Sequence, residues 1–542
     1  MIFTLRSLKY ASLSLIFMGI GACNSKSNQK QESKPPNIIW LVAEDQSPGF
    51  FPMYGDSTIA LPNIESLAND GVVFDNAFSP VPVCAPARSA LITGMYPTTL
   101  GTHNMRTHKS WAQENEPSID IPSYSPIVPE GVRMFTENLR KVGYYCVNGP
   151  KEDYNFAKTQ GAWDESSTNR HWRNRKEDQP FFAVFNFAVC HESQIWKRSK
   201  DSLYVDPETV PIPPYFPSNE VIRHDLAVNY SNLKRLDDQI GEVIAQLKAD
   251  GLYENSVIFF YADHGGPFPR HKRALYDSGI KVPLLIKFPN NENADSRNDS
   301  FISFIDYAPT VLSMAGIEPP KVMQGKAQFG EFEVKKKSEY TFHSSDRFDE
   351  LYDRLRAVRS VRYKYIKSFN TQISHAMPVA YREQMPMMQE LRKLYATKKL
   401  NDGQSVWLHP DKPVEELYDL ENDPYELNNL AGIPEFQDTL LHLRKVMKEW
   451  IKETNDLGQF PEKELIAKWL PEGEQPKLSP LEMEEKEDGI RLISKKSDAT
   501  IIWRHPKDSL WHIYDSPLPL GTSFEAKAER IGYKASEILA NY

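Results

Sequence analysis

Asn37-Ile38-Ile39-Trp40-Leu41-Val42-Ala43-Glu44-Asp45 carries the clearest signal of fold class in the chain. An apolar run without a break, followed at once by two acids, reads as a strand covered on both faces, because a strand with one wet face alternates instead. Comparable runs recur at 144–147, 181–187, 256–262 and 282–288. Between them lie helical patterns at 62–70 and 132–142. The longest, at 220–250, repeats Leu226, Tyr230, Leu233, Ile240, Val243 and Leu247 at steps of three, four or seven. Such alternation of strand and helix predicts an α/β domain with a mostly parallel sheet, and places a functional site at the carboxyl ends of the strands.

Those strand ends carry chemistry. Glu44-Asp45 follows the first run, Asp263-His264 follows the run 256–262, and His191 comes just after the run 181–187. One acidic pair alone would read as a turn or a helix cap. Two pairs, each ending a buried strand, supply hard ligands suited to Ca²⁺, with Mg²⁺ as the second choice because irregular mixed ligation fits the larger ion.

Val81-Pro-Val-Cys84-Ala-Pro86-Ala-Arg88-Ser-Ala-Leu-Ile-Thr93-Gly94 places a lone cysteine between a proline-broken loop and a short helix from about Pro86 to Thr93, with Gly94 at its end. The free N–H groups of that helix and the charge of Arg88 put Cys84 in an electropositive spot. Cys84-x-Pro86-x-Arg88, followed by Leu91-Ile92-Thr93-Gly94, resembles the signature of the type I sulfatases, in which this cysteine is oxidised to formylglycine. The resemblance covers about 37–431. It implies an alkaline-phosphatase-like fold and a metal site of Glu44, Asp45, Asp263 and His264 together with position 84, Glu44 standing where Asp is commoner. Lys272 resembles the lysine of the family's Lys-x-x-x-Tyr-Glu-x-Gly-x-x-x-Pro segment, with Asp277 in place of Glu, and Lys151 that of its Gly-Lys-x-His segment. Both lysines are thereby implied as partners of the sulfate oxygens. In the second segment Asp153 replaces the usual histidine, a departure that changes the proton chemistry there. His191 resembles the family's general acid, without the proline that usually follows it.

Composition is that of a globular protein, 40% hydrophobic and 25% charged, and the 542 residues suggest two to four structural units. A formal net charge of −9 argues against a nucleic-acid partner, yet permits an anionic substrate held by local lysine and arginine. Arg6 and Lys9 precede an apolar run at 10–20, too short for a comfortable membrane span, which ends Ile20-Gly21-Ala22-Cys23. This resembles a lipoprotein box: a signal peptide at 1–22, lipidation at Cys23, and a flexible tether at 23–36. The alternative is an ordinary secretory signal with an incidental cysteine. Four cysteines provide no disulfide framework, and Cys146 and Cys190 either pair or remain buried thiols.

The catalytic domain is expected over 37–330 and a smaller α+β subdomain over 331–471. In the latter, 354–365 alternates in strand fashion with many basic residues. This stretch resembles that of the heparan N-sulfatases, which implies substrate contacts from His343, Asp346, Arg347, Arg354 and His375. Glu416 to Leu430 resembles a further sulfatase hallmark and reads as a structural strand-turn element. A β-rich appendage is expected over 479–542, where Trp503 and Trp511 serve packing or, alternatively, sugar stacking. Taken together, the resemblance implies an envelope lipoprotein, anchored at the outer membrane through Cys23, that hydrolyses sulfate esters of a sulfated glycan (algal, such as ulvan, or a glycosaminoglycan) after oxidation of Cys84 by a maturing enzyme. N-sulfate hydrolysis, phosphate or phosphonate ester hydrolysis on the same fold, and silent glycan binding are the alternatives.

Overall fold

The computed structural model describes residues 35–107 and 121–542. The signal peptide, Cys23 and nearly all of the expected tether lie outside the described residues. Residues 35–542 pack as one unit.

The run that opens the sequence is strand β1 (Asn37–Ala43), every residue of it buried. It lies between β5 (Phe181–Phe187) and β6 (Ser256–Ala262), parallel to both, with Ala43 level with Phe187 on one side and Ala262 on the other. Their register is what brings Glu44, Asp45, Asp263, His264 and the residues after Phe187 to one edge. β3 (Tyr145–Asn148) extends the parallel half beyond β5, and β4 (Glu165–Ser166) beyond β3. The other half is mixed: β2 (Val72–Phe78) runs antiparallel to β7 (Lys281–Val282) and β8 (Leu284–Lys287), and parallel to β9 (Ser296–Ser303). The expected strand at 282–288 is thus two pieces split at Pro283, whose missing N–H cannot serve a ladder. Across the sheet centre Trp40 meets Phe182 and Tyr261 edge to face, at centroid distances of 5.0 and 5.6 Å.

The long helix is Glu220–Ala249, capped by the Asn219 side chain on the Ile222 N–H, and it buries the predicted apolar face. The helix at 132–142 shortens to Thr136–Lys141. The Cys84 helix runs Cys84–Thr93, starting two residues before the expected Pro86; all ten residues are buried, and Gly94 closes it at φ 68°. No side chain caps its N-terminus.

A second, antiparallel sheet orders β10 (Thr341–Ser345), β11 (Leu355–Arg359), β12 (Tyr363–Ser368) and β13 (Glu415–Asp419). Buried ion pairs tie it to the first sheet's loops: Asp277 meets Arg359 at 3.1 Å and Lys364 at 2.5 Å, and Arg273 meets Asp349 at 2.9 Å. This explains the Asp277 departure in structural terms, since its carboxylate binds the second sheet. The Glu416–Leu430 region holds its turn by accepting the Leu427 and Asn428 N–H groups on Asp423, at 2.8 and 2.7 Å.

Beyond 479 come a hairpin, β14 (Glu482–Lys486) with β15 (Gly489–Ile493), and a four-stranded sheet, β17 (His512–Ile513), β16 (Thr500–Arg504), β18 (Phe524–Glu529) and β19 (Leu539–Asn541). This region is fastened to loops beside the first sheet by Arg530 on the Val128 carbonyl and by Glu529 on the Gln160 N–H. Trp511 carries Arg504 and Lys527 on its ring, at 4.4 and 5.0 Å, which leaves that ring little free face for a sugar. Cys84, Cys146 and Cys190 are all buried free thiols, so Cys146 and Cys190 do not pair.

Candidate active site

The carboxyl edge of β1, β5 and β6 gathers a dense set of buried charges. Asp45, Asp263 and His264 each present a ligand atom within 4.8 Å of the others. Asp45 sits at φ 54°, a strained conformation held by its N–H on Asp263 Oδ1 at 3.1 Å. Glu44 lies outside that triangle, its Oε1 3.0 Å from Lys151 Nζ. Asp45 Oδ1 and His264 Nε2 face each other at 2.9 Å, and neither they nor Glu44 Oε1 makes a well-aligned hydrogen bond. Burial pushes the Glu44 carboxyl up, with Lys151 and Arg88 opposing only in part. Three buried carboxylates beside an imidazole, three of these four groups with ligand atoms within 4.8 Å of one another, fit a divalent cation, whose charge offsets the cost of burying them. The expectation for position 84 concerns the oxygen of formylglycine; the unmodified sulfur of Cys84 is not among the clustered ligand atoms. Its thiol is a neutral, buried group and not an anionic ligand.

Arg88, one turn into the Cys84 helix, spends its guanidinium on two partners. Nε and Nη2 donate to Asp263 Oδ2 at 3.1 and 2.9 Å, and Nη1 donates to Asn186 Oδ1 at 2.7 Å. Its charge therefore serves Asp263. Burial, and next the charge of Asp153, push the Cys84 thiol up to about 12 against Lys151 and Lys272. The electropositive spot expected from the helix start is outweighed by burial and by Asp153, so unmodified Cys84 is no thiolate nucleophile.

Lys272 is the hub of the site. Its ammonium lies 2.8 Å from Asp45 Oδ2, 3.2 Å from Glu192 Oε1 and 3.3 Å from His191 Nε2. Asp45, His191 and Glu192 also cluster like metal ligands, but the cation among them is this ammonium. The loop carrying it is folded tightly enough that a Cβ on Gly265 would fall 2.2 Å from the Ser278 carbonyl oxygen. Burial, then repulsion by Lys272, brings the His191 ring down to about 3. Nε2 faces the Lys272 ammonium at 3.3 Å, while Nδ1 lies 3.0 Å from Ser193 Oγ and accepts the Ser193 N–H at 3.3 Å.

A cleft of about 830 Å³ opens onto Glu44, Lys151, Asp153, His191, Lys197 and Tyr381. Asp153 holds φ 53°, and no hydrogen bond or ion pair engages its carboxylate among the described residues. Cys84, 3% exposed, does not line this cleft, but Asp153 and Lys151, which do, lie near enough to act on its charge.

The expected substrate contacts lie elsewhere. His343 has no exposure, and its nitrogens meet the Ser79 carbonyl at 2.8 Å and Thr341 Oγ1 at 2.9 Å, which pins the second sheet to the first. Asp346 is consumed by Arg356 through two bonds of 3.0 Å, and Arg347 by Glu462 at 2.6 and 2.8 Å. Arg354 lies over the Phe369 ring at 4.1 Å, and His375 meets Glu416 at 3.1 Å. None of these five lines the 830 Å³ cleft. The basic alternation at 354–365 instead binds the two layers to each other through buried ion pairs, Arg359 and Lys364 on Asp277 among them. Conversely, the sequence reading missed Asn186, Glu192, Arg273 and Tyr381. Asn186 is legible as the one amide in an apolar strand. Glu192, adjacent to His191, is gripped by Arg273 through two bonds of 2.9 Å, and its N–H donates to Asp45 Oδ2 at 2.7 Å. Tyr381 arrives from the second region and stands edge to face with His191, centroids 6.1 Å apart; nothing local marks it.

Two family models match the chain: one described as Sulfatase, over residues 36–122 and 122–317, and one described as N-sulphoglucosamine sulphohydrolase, C-terminal, over 266–406. An ulvan-active sulfatase of Formosa agariphila is 40% identical over 557 residues, spanning 95% of this chain and 92% of that protein. The human N-sulphoglucosamine sulphohydrolase is 25% identical, spanning 78% of this chain and 91% of its own length. Among solved structures, one in complex with its substrate D-glucosamine-2-N,6-O-disulfate superposes with a TM-score of 0.55 at 17% identity, covering 78% of this chain and 99% of that one.

Proposed function

The chain belongs to the sulfatase family and is a sulfuric ester hydrolase; we propose that its substrate is a sulfated polysaccharide such as ulvan, or oligosaccharides cut from it. The observation that carries this reading is the convergence of Lys151, Lys272, Arg88 and the buried ligand atoms of Glu44, Asp45, Asp263 and His264 beside a cleft wide enough for sugar units, with Lys151, Lys272 and Asp263 near enough to act on the charge at position 84. Its relation to the ulvan-active sulfatase extends over nearly both full lengths.

Glu44, Asp45, Asp263 and His264 would hold the divalent cation, calcium by the donor set, and position 84 would carry formylglycine made from Cys84 by a maturing enzyme. When present, the cation supplies Lewis acidity toward sulfate oxygens and the formylglycine a nucleophilic oxygen. The chain's own residues do the rest. Lys151 and Lys272 set positive charge beside the sulfate oxygens, where a preorganised cation outweighs its effect in water. Asn186 holds Arg88, which fixes Asp263. An anion in the cleft opposes the repulsion from Lys272 and raises the His191 pKa, so the ring can deliver a proton from Nε2 to the departing sugar oxygen. Asp153 contributes the largest charge effect felt at position 84, and takes up a proton when sulfate is released. Tyr381 and Lys197 flank the sugar.

Residues 1–22 and Cys23 support an envelope lipoprotein, anchored at the outer membrane. The match to the sulphoglucosamine sulphohydrolase C-terminal model over 266–406 favours a second reading, hydrolysis of N-sulfate. Both are separated by incubating matured protein with defined O-sulfated and N-sulfated oligosaccharides, ulvan fragments included, and measuring free sulfate alongside the mass of the Cys84 peptide. Release from ulvan fragments, dependent on added Ca²⁺ after chelation, is expected. Turnover of aryl phosphate with no sulfate released from any glycan would overturn the reading.

A further inference from the structure

A second cleft, of about 550 Å³, shares none of its lining with the active-site cleft, although Arg270 and His271 in its wall directly precede Lys272. Its charges do not balance. Asp75 is met by Arg297 at 3.3 Å, Asp277 by Arg359 at 3.1 Å, and Glu426 by Lys364 at 2.6 Å, so each carboxylate in the wall has its own cation. Two cations remain. Arg270, only 3% exposed, donates Nη2 to the Glu426 carbonyl at 2.7 Å, has no partner for Nε, and otherwise touches the rings of Tyr215 and Tyr276 at 4.5 and 3.9 Å. The ammonium of Lys281, on β7, makes no direct hydrogen bond or ion pair among the described residues, although Asp277 and Asp75 lie near enough to favour its charge. A buried guanidinium donor left unpaired is costly, and an anion arriving from solvent repays that cost.

The other walls are apolar faces. Pro211 and Pro213 lie along the rim, and Tyr425, 46% exposed, stands edge to face with Tyr215 at 6.1 Å. Flat aromatic and proline surfaces beside cations with unused donors match the C–H faces and acidic substituents of an anionic sugar, and the volume suits saccharide units where a bare sulfate ion would fill only a corner. We propose that this cleft is a second, non-catalytic binding site for a sulfated saccharide, its sulfo group held by Arg270 and Lys281 and a sugar face resting on Tyr425. The choice of ligand rests on the polysaccharide reading above; the site itself rests on the unpaired cations.

The test is calorimetric titration of the full-length Cys84→Ala protein, which cannot turn over, with an ulvan-derived sulfated disaccharide, its desulfated counterpart and sodium sulfate. Two binding events are expected for the sulfated disaccharide, one of them surviving an added Lys151→Ala change. That surviving event should weaken about tenfold with Lys281→Ala, the loss of one charge-assisted contact, and several-fold with Tyr425→Ala, an exposed position whose loss leaves the fold intact. In matured protein both changes should leave aryl sulfate hydrolysis unaltered. Complete loss of binding with Lys151→Ala, or a surviving event indifferent to both changes, overturns the proposal. Sodium sulfate competing at the same concentration as the disaccharide overturns its saccharide part. Failure of the polysaccharide reading shows separately, as matured wild-type protein that frees no sulfate from the disaccharide whatever the second cleft binds.

Discussion

Replacing Lys272 by methionine keeps its length and removes its charge from the centre of the site. At 2.8 Å from Asp45 Oδ2 the ammonium gains an attraction of about 6 kcal/mol at an effective dielectric of about 20. Part of that is returned as desolvation, and breaking such a buried pair costs about 3–5 kcal/mol of stability. A chain of this size should stay folded with its melting temperature lowered by a few degrees, checked by circular dichroism. The catalytic loss is separate. One preorganised charge on a developing anion is worth about 100- to 1,000-fold in turnover, so kcat/KM for a sulfated oligosaccharide should fall by that factor. A third signature identifies the mechanism. Burial and then Lys272 depress His191 to about 3, and removing the like charge favours the protonated ring, so the His191 limb of the pH profile should move upward. A matured Lys272→Met protein with kcat/KM within about tenfold of wild type and an unmoved limb would refute the argument, and would make Lys272 only a counter-ion for Asp45.

Burial works against the Glu192 carboxylate, but Arg273 and Lys272 hold it down from 4.5 to about 2, a difference worth about 3 kcal/mol. Because the folded value is the lower one, this stability is present in full above pH 4.5 and is lost as pH falls toward 2; Glu192→Gln should flatten that part of an acid-unfolding curve, followed by fluorescence. His343→Ala should lower stability by about 2 kcal/mol through two lost buried hydrogen bonds while leaving KM unchanged, measured by urea unfolding and steady-state kinetics. A raised KM would return His343 to the substrate.

The apolar runs at 37–43, 181–187 and 256–262 were legible as strands with correct ends, because a strand buried on both faces excludes charge along its whole length. β9, Ser296–Ser303, was not legible: it lies at the sheet's edge, and its polar first half carries no periodic signal. The basic stretch near 354–365 misled for a related reason. Charge looks the same in sequence whether it meets water, substrate or a buried carboxylate, and Arg356 is fully buried between Asp346 and Asp456.

By itself the amino-acid sequence determined the strand order's raw material, the acids that end each buried strand, and the Cys84-x-Pro86-x-Arg88 helix start, since these depend on residues adjacent in the chain. Only the tertiary structure decided who partners whom. Arg88 finds Asp263 across 175 residues, and Lys272 finds Asp45 across 227. Those choices follow from the register of β1 with β5 and β6, which sets the strand ends level and lets the long side chains between them satisfy whichever buried charge lies in reach.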